Sequence, residues 1–95
     1  MEVVIVCTSN TGVPEGYWKA SPNHARTVDY VVEERNGKIH AVYEFSNVSN
    51  RNADGRFSFD GLKDVTNTAI GQKIKNNLDV SRSQGESQPV RYASI

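Results

Sequence analysis

The sequence predicts an α+β fold: a small, mostly antiparallel sheet or a partly closed barrel, with one or two short helices. Three observations predict it. Asn36-Gly37 stands between two strand-like runs, β-branched apolar segments lie near both ends of the chain, and the helix-compatible stretches between them are short. At 95 residues the chain has the length of one domain, expected to span residues 1–95.

"EVVIVCTS" opens the chain as a β-branched run suited to a central strand, and "NTGVPEG" follows with turn chemistry. "YWK", residues 17–19, reads as loop, either a lid over the core or one wall of a pocket. In "SPNHAR" Ser21 can cap and Pro22 suits the first helical position; no Glu or Gln follows three places later, so the helix is short. "TVDYVVEER-NG-KIHAVYEF" is a hairpin, because Asn and Gly both tolerate the positive φ of a two-residue turn. An uninterrupted ladder from that turn pairs Arg35 with Lys38, Glu33 with His40, Val31 with Val42 and Asp29 with Glu44. The opposite face then carries Val28, Tyr30, Val32, Ile39, Ala41, Tyr43 and Phe45 and is expected to meet the core. The first face meets solvent, a ligand or a second subunit.

"SNVSNRNADG" reads as a loop, and "RFSFDG" as a short strand with Phe57 and Phe59 on one face. "LKDVTNTAIGQKIKNNL" predicts one short helix with Leu62, Val65, Ala69 and Ile70 on its apolar face, weakened by Thr66, Thr68 and Gly71. "DVSRSQGESQ" is a second polar loop, and "PVRYASI" closes the chain as a strand with Pro89 at its start.

Eleven basic and eleven acidic side chains leave a formal net charge of zero. Duplex DNA binding draws its affinity from many phosphate contacts and is disfavoured; a compact anion held by a few local cations is not. Cys7 is the only cysteine, so no internal disulfide forms, and it reads as a small buried hydrophobe. No basic, apolar leader begins the sequence and no run is long enough to span a bilayer, so a cytoplasmic location, in a cell or an infected host, is expected. A small domain with a thin core commonly associates with copies of itself, and a homo-oligomer is expected.

His24 and His40 lie in different elements without a second metal ligand at the right spacing. No phosphate-binding glycine motif or nucleophile elbow occurs, and Asp60 before Gly61 is turn chemistry. No metal, no cofactor and no catalytic residue is assigned, and a non-enzymatic role is expected. The sequence does hold cations beside aromatics at strand ends: Trp18-Lys19, Arg26, Arg56-Phe57 and Arg91-Tyr92. Guanidinium groups take phosphate oxygens in pairs and aromatic faces stack on bases. Neighbours on a strand point to opposite faces, so a site needs an Arg from one strand and an aromatic from another.

The series "YWKASPNHARTVDYVV", "NGKIHAVYEF", "GRFSFDG", "IGQKI" and "PVRYASI" resembles a small recognition domain accompanying GIY-YIG-type and other nuclease-related proteins of microbes and phages. Phe57 stands where that pattern often has Trp, and no attached nuclease is expected. The resemblance implies recognition without catalysis. In size and composition the chain also looks like phage proteins that sequester nucleotide immune signals.

The expectation is a binder of a nucleotide-type anionic ligand, a sponge for cyclic nucleotide signals serving anti-defense. Trp18, Lys19, Arg26, Arg56, Arg91 and Tyr92 are its ligand-binding residues, placed where "YWK" meets "GRF" or "PVRY", with residues 81–87 as lid. Arg35, beside the hairpin turn, is expected to matter little. The alternatives are a nucleic-acid recognition module assisting a nuclease, and a protein-interaction domain using the hairpin's mixed face.

Overall fold

The computed structural model describes residues 1–9, 14, 16–19, 22–50, 56–80 and 89–95. In chain order the elements are β1 (Glu2–Cys7), β2 (Gly16–Lys19), α1 (Pro22–Ala25), β3 (Tyr30–Arg35), β4 (Lys38–Glu44), β5 (Asn47–Asn50), β6 (Arg56–Asp60), β7 (Lys63–Asp64), α2 (Ala69–Asn77) and β8 (Val90–Ser94). They form an α+β fold with a five-stranded sheet, β7-β4-β3-β1-β8, and a three-stranded sheet, β2-β6-β5. Neither closes into a barrel. β1 and β3 run parallel, with β2 and α1 in the crossover between them, and every other pairing is antiparallel.

The large sheet is covered on both faces. On one, Val4, Val6 and Val31 pack with Trp18, Val48, Phe57 and Phe59 of the small sheet and with Ala25 of α1. On the other, Val3, Ile5, Val32 and Val42 pack with Ile74 of α2 and with Val65 and Val80. Two-sided cover explains the unbroken run in β1: all four residues from Val3 to Val6 are buried. Phe57 and Phe59 meet edge to face at 5.4 Å, and Phe45 meets Phe59 the same way at 5.3 Å, a geometry that aromatic quadrupoles favour.

The hairpin forms where expected, with Asn36 at φ 53° and Gly37 at φ 81°, but its ladder departs from the simple register. Arg35 faces Lys38 and Glu34 faces Ile39; then Glu33 faces Ala41, leaving His40 as an extra residue. This bulge shifts the ladder by one, so Val31 faces Tyr43 and Val32 faces Val42. The expected pairs Glu33 with His40 and Val31 with Val42 are therefore corrected. So is the single apolar face. Tyr43 and Phe45 pack toward the small sheet while Tyr30, Val32 and Ile39 pack toward α2, and Glu33 is buried rather than wet.

Three further expectations change. Residues 17–19 belong to strand β2, not a loop, because β6 pairs with them. Asn47–Asn50, read as loop from its polar composition, is β5: Val48 anchors it in the core beside Phe59. The predicted helix starts late, since Lys63–Asp64 forms β7 and only Ala69–Asn77 is helical. The residues thought to weaken that helix organise its start. The Thr68 hydroxyl caps it by accepting from the Gly71 amide at 3.2 Å, and the Gln72 side chain donates to the Thr66 carbonyl at 2.8 Å. Ile70, Ile74 and Leu78 then supply an apolar stripe at four-residue spacing. Cys7 is only half-buried; its thiol donates to Ser9 Oγ at 3.5 Å. The Ser21 cap and residues 81–87 lie outside the described residues.

Gly71 allows α2 to approach the segment before it. A Cβ there would stand 2.0 Å from the Val65 carbonyl oxygen and 2.6 Å from that of Thr66. Gly71→Ala is expected to destabilise the fold by at least about 2 kcal/mol despite alanine's better helix propensity. A urea midpoint equal to or above that of the wild type would contradict this packing.

Candidate functional site

The parallel strands β1 and β3 end side by side, and in open sheets that carboxyl end is where ligands are commonly held. Here it carries polar residues that both cores would reject. Glu33, 1% exposed, is enclosed by donors: the Thr8 hydroxyl gives to Oε2 at 2.6 Å and the Tyr43 hydroxyl to Oε1 at 2.9 Å. Arg35 closes the group, with Nε 2.9 Å and Nη2 2.7 Å from Glu33 Oε2, and Nε also donating to Thr8 Oγ1 at 2.9 Å. Burial alone would raise the Glu33 pKa, but the hydrogen bonds from Thr8, Tyr43 and Arg35 outweigh it and hold the carboxyl below its ordinary value. Burial, reinforced by this carboxylate, pushes the Tyr43 phenol well up.

Glu34 does the equivalent work on the α2 side. Its Oε2 accepts from the Gly37 amide at 3.0 Å and lies 3.9 Å from the Cys7 sulfur, while Arg91 Nη2 stands 3.7 Å from Oε1. The Asn36 amide donates to Ser9 Oγ at 3.0 Å, and the Thr8 amide to the Glu34 carbonyl at 3.0 Å. The Asn36 amide thereby ties the hairpin tip to the segment after β1, and the Gly37 amide ties it back to Glu34 of β3.

Beside this anchored tip lies an open cleft of about 580 Å³, lined by Arg35, Asn36, Lys38, Ile39 and His40. That volume falls within the range of small-ligand sites. The basic side chains come from both strands of the hairpin: Arg35 of β3 faces Lys38 of β4, and His40, two residues further along β4, lines the same cleft. Asp64 is held below the usual carboxylate range first by the Thr66 hydroxyl, then by the Thr66 amide, with a smaller contribution from His40.

The six residues expected from the sequence do not gather at one point. Trp18 is core, 5% exposed, and its indole donates to the Pro14 carbonyl at 3.0 Å. Lys19 faces Arg56 across β2 and β6, so "YWK" and "GRF" do meet. Arg26, at the end of α1, donates to Asn23 at 2.8 Å and to the Val48 carbonyl at 3.3 Å. Arg91 donates to the Val80 carbonyl at 2.8 Å, tying β8 to the segment after α2. Tyr92 packs on the opposite face of β8, its ring stacked on His24 at 3.6 Å and 11°. Arg91 and Tyr92 thus serve different layers.

From the sequence Arg35, Lys38 and His40 share the hairpin's mixed face, expected to meet solvent, a ligand or a second subunit, but none of the three is among the expected ligand-binding residues and Arg35 is expected to matter little. Among the described residues no group of three or more His, Cys, Asp or Glu side chains could hold a metal ion, and no helix is long and apolar enough to cross a membrane. No family model, curated protein or solved structure matches the chain.

Glu33 links this site to pH. Its folded pKa lies below the ordinary value of 4.5, so its contribution is complete above that pH and is lost as pH falls through the folded value. Glu33→Gln, which keeps the shape and removes the charge, is expected to cost about 1–3 kcal/mol at neutral pH. It should also flatten the fall in stability below about pH 4.5 relative to the wild type. Denaturation at several pH values checks both; parallel acid limbs in the two proteins would count against the network.

Proposed function

We propose that this chain is a non-enzymatic binder of a small nucleotide-type anion, held at the hairpin cleft by Arg35, Lys38 and His40. The observation that carries the reading is the cationic cleft beside a fixed turn. Glu33 and Thr8 hold the Arg35 guanidinium before any ligand arrives, and a group already ordered loses less entropy on binding. Lys38 adds an exposed ammonium, and Ile39 offers an apolar surface beside the charges. Neutral overall charge suits a compact anion better than a nucleic-acid duplex. Sequestration of a nucleotide signal, the sponge role, is the biological form of this proposal; neither a metal nor a cofactor enters it.

A thermal-shift series with guanosine monophosphate, adenosine monophosphate and inorganic phosphate tests the reading, because a ligand of the native state raises stability by mass action. Lys38→Ala is the informative variant, since its side chain is exposed and outside the Glu33 network. It should weaken nucleotide binding about tenfold, or 1.4 kcal/mol, while Lys73→Ala on α2 changes nothing. No shift with any of the three probes, or equal affinity in Lys38→Ala, would reject the cleft.

The same proposal includes a homo-oligomer. β8 is an edge strand of five residues with β1 on one side only among the described residues, and a second copy could extend the sheet there. Light scattering should then find a species heavier than 10.5 kDa at micromolar concentration; a monomer would remove this part.

A further inference from the structure

The edge of a sheet presents unpaired N–H and C=O groups, which proteins blunt with short strands, bulges, or polar and charged side chains. Among the described residues, three edge strands follow that rule. β7 is two residues long, β2 carries a register shift between Gly16 and Trp18 beside the exposed Lys19, and β5 is short and polar apart from Val48. β8 is different. Its five residues pair with β1 without a register shift, and no strand lies beyond it among the described residues. The ladder shows which of its groups face outward. The Cys7 amide donates to the Pro89 carbonyl at 2.8 Å, and Met1 and Ile95 exchange bonds of 3.1 and 2.8 Å. Pro89, Arg91, Ala93 and Ile95 therefore turn their backbone groups toward β1, and Val90, Tyr92 and Ser94 turn theirs away from it.

We infer that β8 is the contact strand of a two-fold dimer, in which a second copy of this chain pairs antiparallel with it about Tyr92. The inference rests on the homo-oligomer part of the proposed function and is independent of the hairpin cleft. The outward groups dictate the register. Tyr92 stands opposite Tyr92 of the second copy and Val90 opposite its Ser94, each pair exchanging both N–H···O bonds. The same three residues supply every donor and every acceptor, so the edge is complementary to itself, as a two-fold contact requires. The side chains agree with this. Tyr92 lies on the face toward the small sheet, its ring stacked on His24, and aromatic pairs across two strands are favourable. Charge does not oppose the contact either. The Arg91 guanidinium lies 2.8 Å from the Val80 carbonyl and 3.7 Å from the Glu34 carboxylate of its own protomer, so two copies bring no unmatched like charges together. The Ser94 hydroxyl is committed to Glu2 Oε1 at 2.8 Å, which leaves the backbone as what this residue offers a partner.

Light scattering together with amide hydrogen exchange, read by nuclear magnetic resonance across a dilution series, tests the contact. In the dimer the Val90, Tyr92 and Ser94 amides are expected to exchange at least about tenfold more slowly than after dilution to monomer. Arg91, Ala93 and Ile95, bonded to β1 in both states, should change less. Mixing isotope-labelled with unlabelled chains should reveal an interchain contact between the Arg91 and Ala93 Hα atoms, because these residues form the close, non-hydrogen-bonded pair of that register. Ser94→Pro removes an outward N–H and spares the bonds to β1, so it should weaken self-association at least about tenfold. Ser94→Ala, which loses only the hydroxyl, should leave it unchanged. A dimer whose β8 amides exchange freely, or whose interchain contacts exclude the Arg91 and Ala93 pair, overturns the inference and leaves the homo-oligomer reading standing. Slow exchange of the three amides that survives dilution to monomer overturns it as well, since the chain's own residues then cover the edge. A monomer at every concentration removes both.

Discussion

A strand buried on both faces has no wet side toward which a charged residue can turn, and β3 carries two consecutive glutamates in that position. Glu33 enters the layer under the small sheet and Glu34 the layer under α2, each 1% exposed. An ionised carboxylate left unpaired there would cost several kcal/mol. Much of the surrounding architecture meets that requirement. Thr8 follows directly on β1 and Tyr43 comes from β4, on either side of β3; Arg35 folds back from the strand end, and Arg91 reaches across from β8. The turn contributes too, because the Gly37 amide satisfies Glu34. Strand order, the hairpin tip and the position of β8 are therefore coupled through two carboxylates.

That coupling also explains what could and could not be read from the sequence. The Asn36-Gly37 turn, β1, α1, β6 and β8 were legible because each depends on local chemistry: positive φ, β-branching, a proline at a helix start. The bulge at His40 was not legible. An uninterrupted two-residue hairpin would place Val31 opposite Val42; the observed shift places Val31 with Tyr43 and so brings the phenol onto Glu33. Nothing local marks His40 as the surplus residue. β5 escaped for a related reason: Asn47, Ser49 and Asn50 have poor strand propensity, and it is the burial of Val48 against the core that holds them extended.

The site was legible only in kind. Lys19 and Arg26 are exposed and "YWK" does lie against "GRF" through Lys19 and Arg56, but the Arg91 side chain is only 16% exposed. Trp18 shows the limit of reading an aromatic by its polar neighbours. On a strand the residue beside an exposed lysine points inward, and the indole N–H finds its acceptor in the Pro14 carbonyl. Arg35 shows the reverse: a residue at a turn looks like an ordinary solvated charge until the buried partner two positions earlier is seen.

Pairing with Glu33 changes what Arg35 can contribute. Its positive charge is largely matched by the carboxylate at 2.7 Å, so it brings direction and order to the cleft more than net potential. The remaining positive charge comes from Lys38, which is exposed. Screening over roughly 8 Å at physiological ionic strength leaves such an open cleft with modest electrostatic reach. A bare anion would be held weakly there. On the proposed reading, appreciable affinity requires a ligand that adds contact with Ile39 to the charge interaction.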